Sequence, residues 1–295
     1  MRDVPHHVPP VYRPPSEARS LIIQVTYGCS SDTCTFCRVY RGKKFRKRSE
    51  DEVMRELEAA ARLYPGARRI FLADGDAMVL SRRILERYLG ALRDLFPALE
   101  RVTAYATPQN LLGKSPEDLE AIRRAGLEML YVGLESGSAE VLERVNKGVG
   151  PDDVVRAVRR AGDAGFTTSV TVILGLGGPE LSETHARETG RALTRMRPDY
   201  VGALTLMIGD HNADFPRSMG PGFRLLDIPE TLAEVRLMLE NMQCEGCVFR
   251  ANHASNWLTL KGTLMRDRQR LLDLIDEVLA DPDSPHLRPD WFRAL

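Results

Sequence analysis

The sequence has few of the features that mark a membrane or secreted protein. No apolar run reaches the roughly 18 residues that a transmembrane helix needs, and the first residues lack the apolar stretch of a signal peptide. Cysteine is scarce: five residues, an odd number, do not favour a disulfide framework. Basic and acidic residues number 41 each, so the net charge indicates neither nucleic-acid nor membrane binding. We expect a soluble, cytoplasmic protein.

The chain is long enough for one large α/β domain with additions, because it has 295 residues of which 43% are hydrophobic. Five prolines in the first 15 residues remove backbone donors and restrict φ, so we predict an extended arm over residues 1–18, without helix or sheet. A core at residues 19–210 and a C-terminal extension at residues 211–295 complete the predicted domain organisation.

Strand-like apolar runs alternate with stretches that have the 3.6-residue periodicity of helices. Six runs are predicted strands: Leu21–Val25, Arg69–Ala73, Arg101–Ala106, Met129–Gly133, Thr168–Leu174 and Tyr200–Thr205. Five stretches are predicted helices: Ser49–Leu63, Ser81–Leu95, Ser115–Ala125, Asp152–Ala164 and Leu181–Met196. Repeated strand–helix units are typical of a parallel sheet with crossover helices. Six units predict an α/β fold with a partial (β/α)6 TIM barrel, followed by a mainly helical C-terminal extension.

Three cysteines lie within nine residues directly after the first predicted strand. Cys29, Cys34 and Cys37 have the spacing Cys-x4-Cys-x2-Cys, and the next cysteine is Cys244. A [4Fe–4S] cluster is held by cysteine thiolates, so three ligands would leave one iron open for a substrate or cofactor. A plant-type ferredoxin loop has the same spacing but needs a fourth cysteine, and a zinc site usually takes four paired ligands. Both alternatives stay open.

Further polar and glycine-rich segments follow other predicted strands, at the edge where a (β/α) barrel carries its chemistry. They are Asp74-Gly75-Asp76, the region of Tyr105, Glu135-Ser136-Gly137 with Lys147 beyond it, and Gly175-Leu176-Gly177-Gly178. Each segment alone is equally compatible with a turn or a helix cap. Their combination with the cysteine triplet at one edge favours a cofactor site.

These segments resemble the radical S-adenosylmethionine (SAM) superfamily, near its coproporphyrinogen oxidase and methylthiotransferase branch. Cys34-Thr35-Phe36-Cys37 is similar to the Cys-x2-Cys of that family, and Val132–Ser138 resembles a signature of the branch. Asp74-Gly75-Asp76 occupies the place of its Gly-Gly-Glu segment, and Val172–Leu176 that of its later glycine strand. The first cysteine gap is four residues where the family usually has three.

The resemblance implies a role for each matching position. Cys29, Cys34 and Cys37 would ligate the [4Fe–4S] cluster, whose open iron takes the amino and carboxylate groups of SAM. Contacts to SAM would come from the other segments: Asp74, Gly75 and Asp76 to its ammonium, Glu135 and Tyr105 to its ribose, Lys147 to its carboxylate, Phe36 and Ile173 to its adenine. Reductive cleavage of SAM would give a 5′-deoxyadenosyl radical that abstracts hydrogen. A flavodoxin or ferredoxin would supply the electron.

The sequence gives fewer indications of the substrate than of the cofactors. Six cations lie between Tyr40 and Arg48, which fits an anionic substrate or acidic electron donor as well as a solvated loop. His211 and His253 are candidate catalytic residues, and the polar segment around His253 is compatible with a substrate loop or a structural cap. We expect a small-molecule or peptide substrate rather than nucleic acid, because no RNA-binding platform is evident.

Two alternative functions remain. One is a non-catalytic iron–sulfur or haem carrier related to the family. The other is a thiol or zinc protein built on Cys244 and Cys247, whose spacing also fits a redox pair, half of a metal site, or simple buried thiols.

Overall fold

The computed structural model describes residues 7–37, 40, 42–209, 212–281 and 283–293. Its strands are β1 (Leu21–Gln24), β2 (Thr26–Tyr27), β3 (Arg46–Lys47), β4 (Arg69–Ala73), β5 (Arg101–Ala106), β6 (Leu127–Glu135), β7 (Thr167–Leu174), β8 (Tyr200–Thr205), β9 (Val248–Ala251) and β10 (Leu260–Thr263). Its α-helices are α1 (Glu50–Leu63), α2 (Arg82–Leu95), α3 (Pro108–Leu112), α4 (Pro116–Ala125), α5 (Ala139–Arg144), α6 (Pro151–Asp163), α7 (Gly178–Met196), α8 (Phe215–Met219), α9 (Ile228–Glu240) and α10 (Arg268–Ala280).

The residues divide into two compact units. The first unit comprises Met1–Asp32, Val39–Val132 and Arg160–Thr168, and the second comprises Thr33–Arg38, Gly133–Arg159 and Ser169–Leu295. The cysteine segment is therefore shared, with Cys29 in the first unit and Cys34 and Cys37 in the second.

Parallel strands build the first unit. β4 pairs with β1 on one side and with β5 on the other, and β5 also pairs with β6. Four residues of β4, from Ile70 to Ala73, are fully buried, as expected for a strand covered on both faces. The short strands β2 and β3 pair antiparallel, which joins the basic run to Thr26 and Tyr27.

In the second unit, β8 pairs in parallel with β7 and with β9, while β10 runs antiparallel to β9. Buried and partly exposed residues alternate along β7 and β8, so one face of each strand lies in the core. Helices α7 and α9 pack against each other. The parallel strands and intervening helices confirm the predicted α/β class.

Local sequence explains where the helices begin. Ser49 and Glu52 form the predicted capping box at α1, since each side chain bonds the backbone N–H of the other residue. The hydroxyl of Ser115 accepts from the N–H of Asp118 at the start of α4. α9 begins with a second capping box, formed by Asp227 and Glu230.

Two features differ from the sequence-based expectations. The proline-rich arm contains a short 3-10 helix, Pro15–Glu17, because proline is compatible with the first turn of a helix. The C-terminal extension also contributes β9 and β10, beside its helices. Within the described ranges, none of the helices is long and apolar enough to cross a membrane.

Candidate functional site

In the first unit, successive residues of the loop after β4 contact successive residues of the loop around Cys29. The N–H of Gly75 donates to the carbonyl of Gly28 at 3.1 Å. A Cβ atom added at Gly75 would lie 2.7 Å from Cys29 Cβ and 3.0 Å from its Sγ. Glycine is therefore required at position 75 because the chain passes directly against the cysteine.

Asp74 is fully buried and holds the residue before the cysteine. Its carboxylate accepts from the N–H of Gly28 at 2.9 Å and from the amide of Gln24 at 3.0 Å. Lys43 Nζ lies 2.5 Å from the same carboxylate. A buried carboxylate requires such a partner, because the cost of taking the charge out of water is otherwise large.

The charge on Lys43 also ties the proline-rich arm to this loop. Lys43 Nζ donates to the carbonyls of Val8 and Pro10, at 2.6 and 2.8 Å. Gln24 completes the link through two hydrogen bonds to the backbone of Val8. Two members of the basic run form internal ion pairs, Lys43 with Asp74 and Arg48 with Glu56, whereas Lys44, Arg46 and Lys47 are exposed. Arg41 lies outside the described residues.

Asp76 holds the residue after the cysteine. Its carboxyl group accepts from the hydroxyl of Ser30 at 2.7 Å, the hydroxyl of Thr107 at 2.8 Å and the amide of Asn110 at 2.5 Å. Burial raises the pKa of Asp76, against the hydrogen bonds from these three side chains, which lower it. Contacts of Asp74, Gly75 and Asp76 with an ammonium group stay a prediction, since both carboxyl groups already hold the cysteine loop.

The second unit holds the segment that carries the other two cysteines. The N–H of Thr35 donates to the carbonyl of Val145 at 2.9 Å, and the hydroxyl of Ser218 donates to Thr35 Oγ1 at 3.0 Å. The side-chain amide of Asn212 donates to the carbonyl of Phe36 at 2.9 Å. Val145 of the core and Asn212 of the C-terminal extension thus hold the backbone between Cys34 and Cys37, and Ser218 holds the side chain of Thr35.

Phe36 and Ile173, the two residues expected to border adenine, pack against the same apolar cluster of the second unit. The buried members of this cluster are Val141, Val145, Leu176, Leu181, Leu206, Phe215 and Met219. The structure therefore brings these two predicted residues to one apolar surface, although they are far apart in sequence. Their contact with adenine stays a prediction.

Glu135 and Lys147 form a nearly buried ion pair, with Lys147 Nζ 2.9 Å from Glu135 Oε1. Gly133 leaves room for it, because a Cβ there would lie 1.8 Å from Glu135 Oε1. Burial alone lowers the pKa of Lys147, but the charges of Glu135, Cys34 and Cys37 outweigh burial and raise it. The lysine is accordingly a cation that faces the two thiols of its own unit.

Ser136, from the polar segment after β6, forms a buried polar network with His185 and Glu234, two residues that the sequence did not point to. His185 Nδ1 lies 2.7 Å from the hydroxyl of Ser136, and its Nε2 lies 3.6 Å from Glu234 Oε1. Burial lowers the pKa of His185 to about 4 and raises that of Glu234 to about 7. The one available signal is a glutamate on the buried face of α9, beside Thr231, Val235 and Met238.

The remaining predicted residues are Tyr105, His253 and His211. Tyr105 packs edge-on against Phe71 and Tyr131, with ring centroids 5.0 and 6.1 Å away. His253 Nδ1 accepts from the N–H of Ser255 at 3.1 Å. His211 lies outside the described residues. A ribose contact for Tyr105 and catalytic roles for His211 and His253 stay predictions.

The polar segment around His253 has the contacts of a structural cap. The N–H of Thr205, at the end of β8, donates to the hydroxyl of Ser255, and the hydroxyl of Thr205 donates to Asn256 Oδ1 at 2.8 Å. Asn256 in turn donates to the carbonyl of Ala203 at 2.8 Å. Ser255 and Asn256 are buried by these contacts, so they join the segment to β8.

Cys244 and Cys247 are buried, and their thiols are held in the neutral form. Burial raises the pKa of Cys244 to about 11 and that of Cys247 to about 12. A thiol that stays protonated is a poor nucleophile and a poor metal ligand. In the part of the chain that the structure describes, no three or more Cys, His, Asp or Glu side chains are gathered as a metal site.

The fold is of the α/β class, and the cysteine segment follows β1 and β2. The chain belongs to the Radical SAM superfamily, because the model of that family matches residues 23–193. It is therefore an enzyme of the radical SAM type, with a [4Fe–4S] cluster and SAM as its cofactors. This confirms the resemblance drawn from the sequence.

Individual relatives share only low sequence identity with this chain. A putative methylthiotransferase from Methanocaldococcus jannaschii is 28% identical over 165 residues, which make up 52% of this chain and 35% of the relative. The chain thus spans about a third of the length of that curated relative.

Solved structures show the fold. Coproporphyrinogen III oxidase from Escherichia coli, described as a radical SAM enzyme, matches with a TM-score of 0.56 and 17% identity, over 75% of this chain and 50% of that one. Methylornithine synthase matches with a TM-score of 0.52 and 15% identity, over 88% and 80% of the two chains. These likenesses confirm the predicted α/β fold.

Substitution of Gly75 tests the contact with Cys29. We expect Gly75→Ala to lower the iron content after anaerobic reconstitution at least twofold, because the new Cβ must displace the cysteine; overpacking of this kind costs about 1–3 kcal/mol. Iron per chain and thermal unfolding are the measurements. Gly90→Ala is the matched control, since a Cβ there meets nothing within 4 Å. Equal iron content in the two variants would contradict the contact.

Substitution of Asn212 tests the hold on the Cys34–Cys37 segment. Asn212→Leu leaves the carbonyls of Phe36 and Met207 without the amide donor, and a buried unsatisfied group costs about 1–3 kcal/mol. We expect the visible absorbance of the cluster to decay severalfold faster under an iron chelator. In the control Asn241→Leu, the lost side chain bonds the carbonyl of Leu237 at the end of α9. Equal decay rates would rule out this role for Asn212.

Substitution of Glu234 tests its ionisation in the fold. Its pKa rises from 4.5 to about 7, so its contribution to stability is present below pH 4.5 and is lost as the pH rises through 7. Over that range the free energy of unfolding of the wild type should fall relative to Glu234→Gln, by about 3 kcal/mol in total. Urea unfolding at several pH values measures this. His185 is common to both chains, so a constant difference would mean that Glu234 has an ordinary pKa.

Proposed function

We propose that the chain binds a [4Fe–4S] cluster through Cys29, Cys34 and Cys37 and cleaves SAM reductively, to abstract hydrogen from a substrate. This proposal rests on the contacts that the Asp74–Asp76 segment makes with Gly28, Cys29 and Ser30. A loop that only turned the chain would not need two buried carboxyl groups, each with three or more polar partners. Such a hold suits a loop that must present a thiolate at a fixed place.

The chemistry of the donor set fits the cluster. Three cysteines in nine residues supply three thiolates, and the next cysteine, Cys244, is buried with a raised pKa. A cubane ligated by three cysteines keeps one iron open. When bound, the cluster and SAM supply the electron and the 5′-deoxyadenosyl radical, and the protein supplies binding, orientation and exclusion of water.

Charged residues of the second unit suit the polar parts of SAM. We assign Lys147 to the SAM carboxylate and Glu135 to the ribose hydroxyls. The two side chains neutralise each other before the ligand binds, so neither buried charge lacks a partner. SAM would separate them, and each would exchange its partner for a ligand group of suitable charge or polarity.

The apolar surface at Phe36 and Ile173 suits adenine. In the first unit, the carboxyl groups of Asp74 and Asp76 already accept hydrogen bonds from protein groups. We therefore assign the contact with the SAM ammonium to the backbone of that segment. Tyr105, His211 and His253 are kept as further candidates near the ribose and the substrate.

We propose the electron donor and the substrate only as chemical classes. We propose an acidic flavodoxin or ferredoxin as the electron donor, and the exposed Lys44, Arg46 and Lys47 offer it a positive surface. The relatives named above are a methylthiotransferase, a coproporphyrinogen oxidase and a methylornithine synthase by name. These names describe different reactions, so we propose a small-molecule or peptide substrate without naming it. We propose a cytoplasmic location, where thiols stay reduced.

Anaerobic reconstitution tests the function. We expect iron and sulfide in the ratio of a cubane and, with dithionite and SAM, formation of 5′-deoxyadenosine and methionine. Cys34→Ala should lower 5′-deoxyadenosine at least 100-fold, because one iron loses its ligand. Cys244→Ala is the matched cysteine control and should retain both cluster and cleavage.

Other outcomes identify the alternatives. A stable cluster without SAM cleavage would favour a non-catalytic carrier. Stoichiometric zinc without iron would exclude both cluster-based functions.

A further inference from the structure

Glu234 is a carboxyl group of the C-terminal extension that contacts the loop after β7. Its Oε1 accepts from the N–H of Gly175 at 2.6 Å, and its Oε2 accepts from the hydroxyl of Ser182 at 2.5 Å. Gly175 has φ +78, a left-handed conformation that glycine adopts readily. The carboxyl group thus holds a turn that begins directly at the end of β7.

His185 extends this contact to the loop after β6. The hydroxyl of Ser136 accepts from the N–H of Ser138 at 3.0 Å, so its proton is available to His185 Nδ1, 2.7 Å away. This assignment makes the ring neutral, with the proton on Nε2. The backbone of Ile173 also forms a hydrogen bond with the ring, and Glu234 Oε1 lies 3.6 Å from Nε2. The carboxyl group of Glu234 and the ring of His185 are thus neighbours in the core, beyond hydrogen-bond distance.

The residue beside Ser136 is conformationally strained. Glu135 has φ +65, which costs a non-glycine residue about 1–3 kcal/mol and persists only where surrounding contacts impose it. Its side chain is held by Lys147, and its backbone continues into Ser136, which His185 holds. Strain of this kind is frequent at ligand sites.

We propose that Glu234 and His185 are positioning residues, which hold the Gly175 turn and the Glu135–Ser136 turn in the geometry that binds SAM. This inference rests on the proposed function, because that function assigns Glu135 and Ile173, beside these turns, to SAM. Through this network, α9 of the C-terminal extension acts on the cofactor site without touching the cofactor. Neither residue takes part in the chemistry.

A core acid without this role would behave differently. Burial of Glu234 opposes its ionisation, so removal of its charge alone need not destabilise the fold. Loss of its acceptor oxygens, in contrast, frees the N–H of Gly175 inside the protein. A positioning role therefore predicts weaker SAM binding from the loss of the hydrogen bonds, with a smaller effect on folding.

The test compares Glu234→Leu, Glu234→Gln and Thr231→Val. Leucine removes both acceptors, whereas glutamine keeps one oxygen for Gly175. Thr231→Val is the matched control, because this hydroxyl is buried on the same helix and has no hydrogen-bond partner in the described part of the chain. SAM binding is measured on the reconstituted protein by the change that SAM causes in the electron paramagnetic resonance spectrum of the reduced cluster.

We expect Glu234→Leu to raise the dissociation constant of SAM about tenfold, as the loss of one net hydrogen bond predicts. Glu234→Gln should stay within about threefold of the wild type, and Thr231→Val should match it. In the cluster-free chain, hydrogen exchange of the Gly175 amide should be at least about tenfold faster in Glu234→Leu alone. Ser136→Ala should also weaken SAM binding, because it removes the far end of the network.

Unchanged SAM binding in Glu234→Leu, with the wild type binding normally, would overturn the inference. Equal losses in Glu234→Leu and Thr231→Val would do the same, because they would reflect general disturbance of α9. If Glu234→Leu does not fold, Ser136→Ala decides between the outcomes: wild-type affinity overturns the inference and weaker binding supports it. Failure of the wild type to bind SAM would overturn the proposed function first, while the exchange rate of Gly175 still reports whether Glu234 holds that turn.

Discussion

The buried carboxylate of Asp74 is the constraint on which the cysteine loop of the first unit depends. It binds Gly28 on one side of the cysteine, and its charge is neutralised by Lys43. Lys43 is itself held by the carbonyls of Val8 and Pro10. Lys43 of the basic run therefore neutralises a buried charge, and the proline-rich arm holds Lys43. The composition of these two segments does not reveal this structural role.

The second unit is held by neutral hydrogen bonds and also contains a buried ion pair. A hydrogen bond from Asn212 holds the backbone of Phe36, one from Ser218 holds the side chain of Thr35, and Phe36 packs against an apolar cluster. The ion pair of Glu135 and Lys147 keeps two charges buried side by side. Such a pair is costly to bury and contributes little net stability, so its position at a strand end favours a role in ligand binding.

Much of the fold could be predicted because its signals are local. All six predicted strands are present, and β4, β5 and β8 have the predicted bounds. The capping box at Ser49 forms as its spacing indicates. β9 and β10 escaped prediction because four-residue strands that contain Arg250 or Lys261 have no clear alternation, and only pairing with neighbouring strands stabilises them.

The site divides in a similar way between prediction and structure. The sequence by itself determined the cysteine spacing, the order of strands and helices, and the polar segments that follow the strands, since each depends on residues close together in the chain. Only the tertiary structure decided that Asp74 and Asp76 hold the cysteine loop and that Glu234 holds Gly175. Those partners are tens of residues apart, and a buried polar group takes whichever partner the packed core brings within hydrogen-bonding distance.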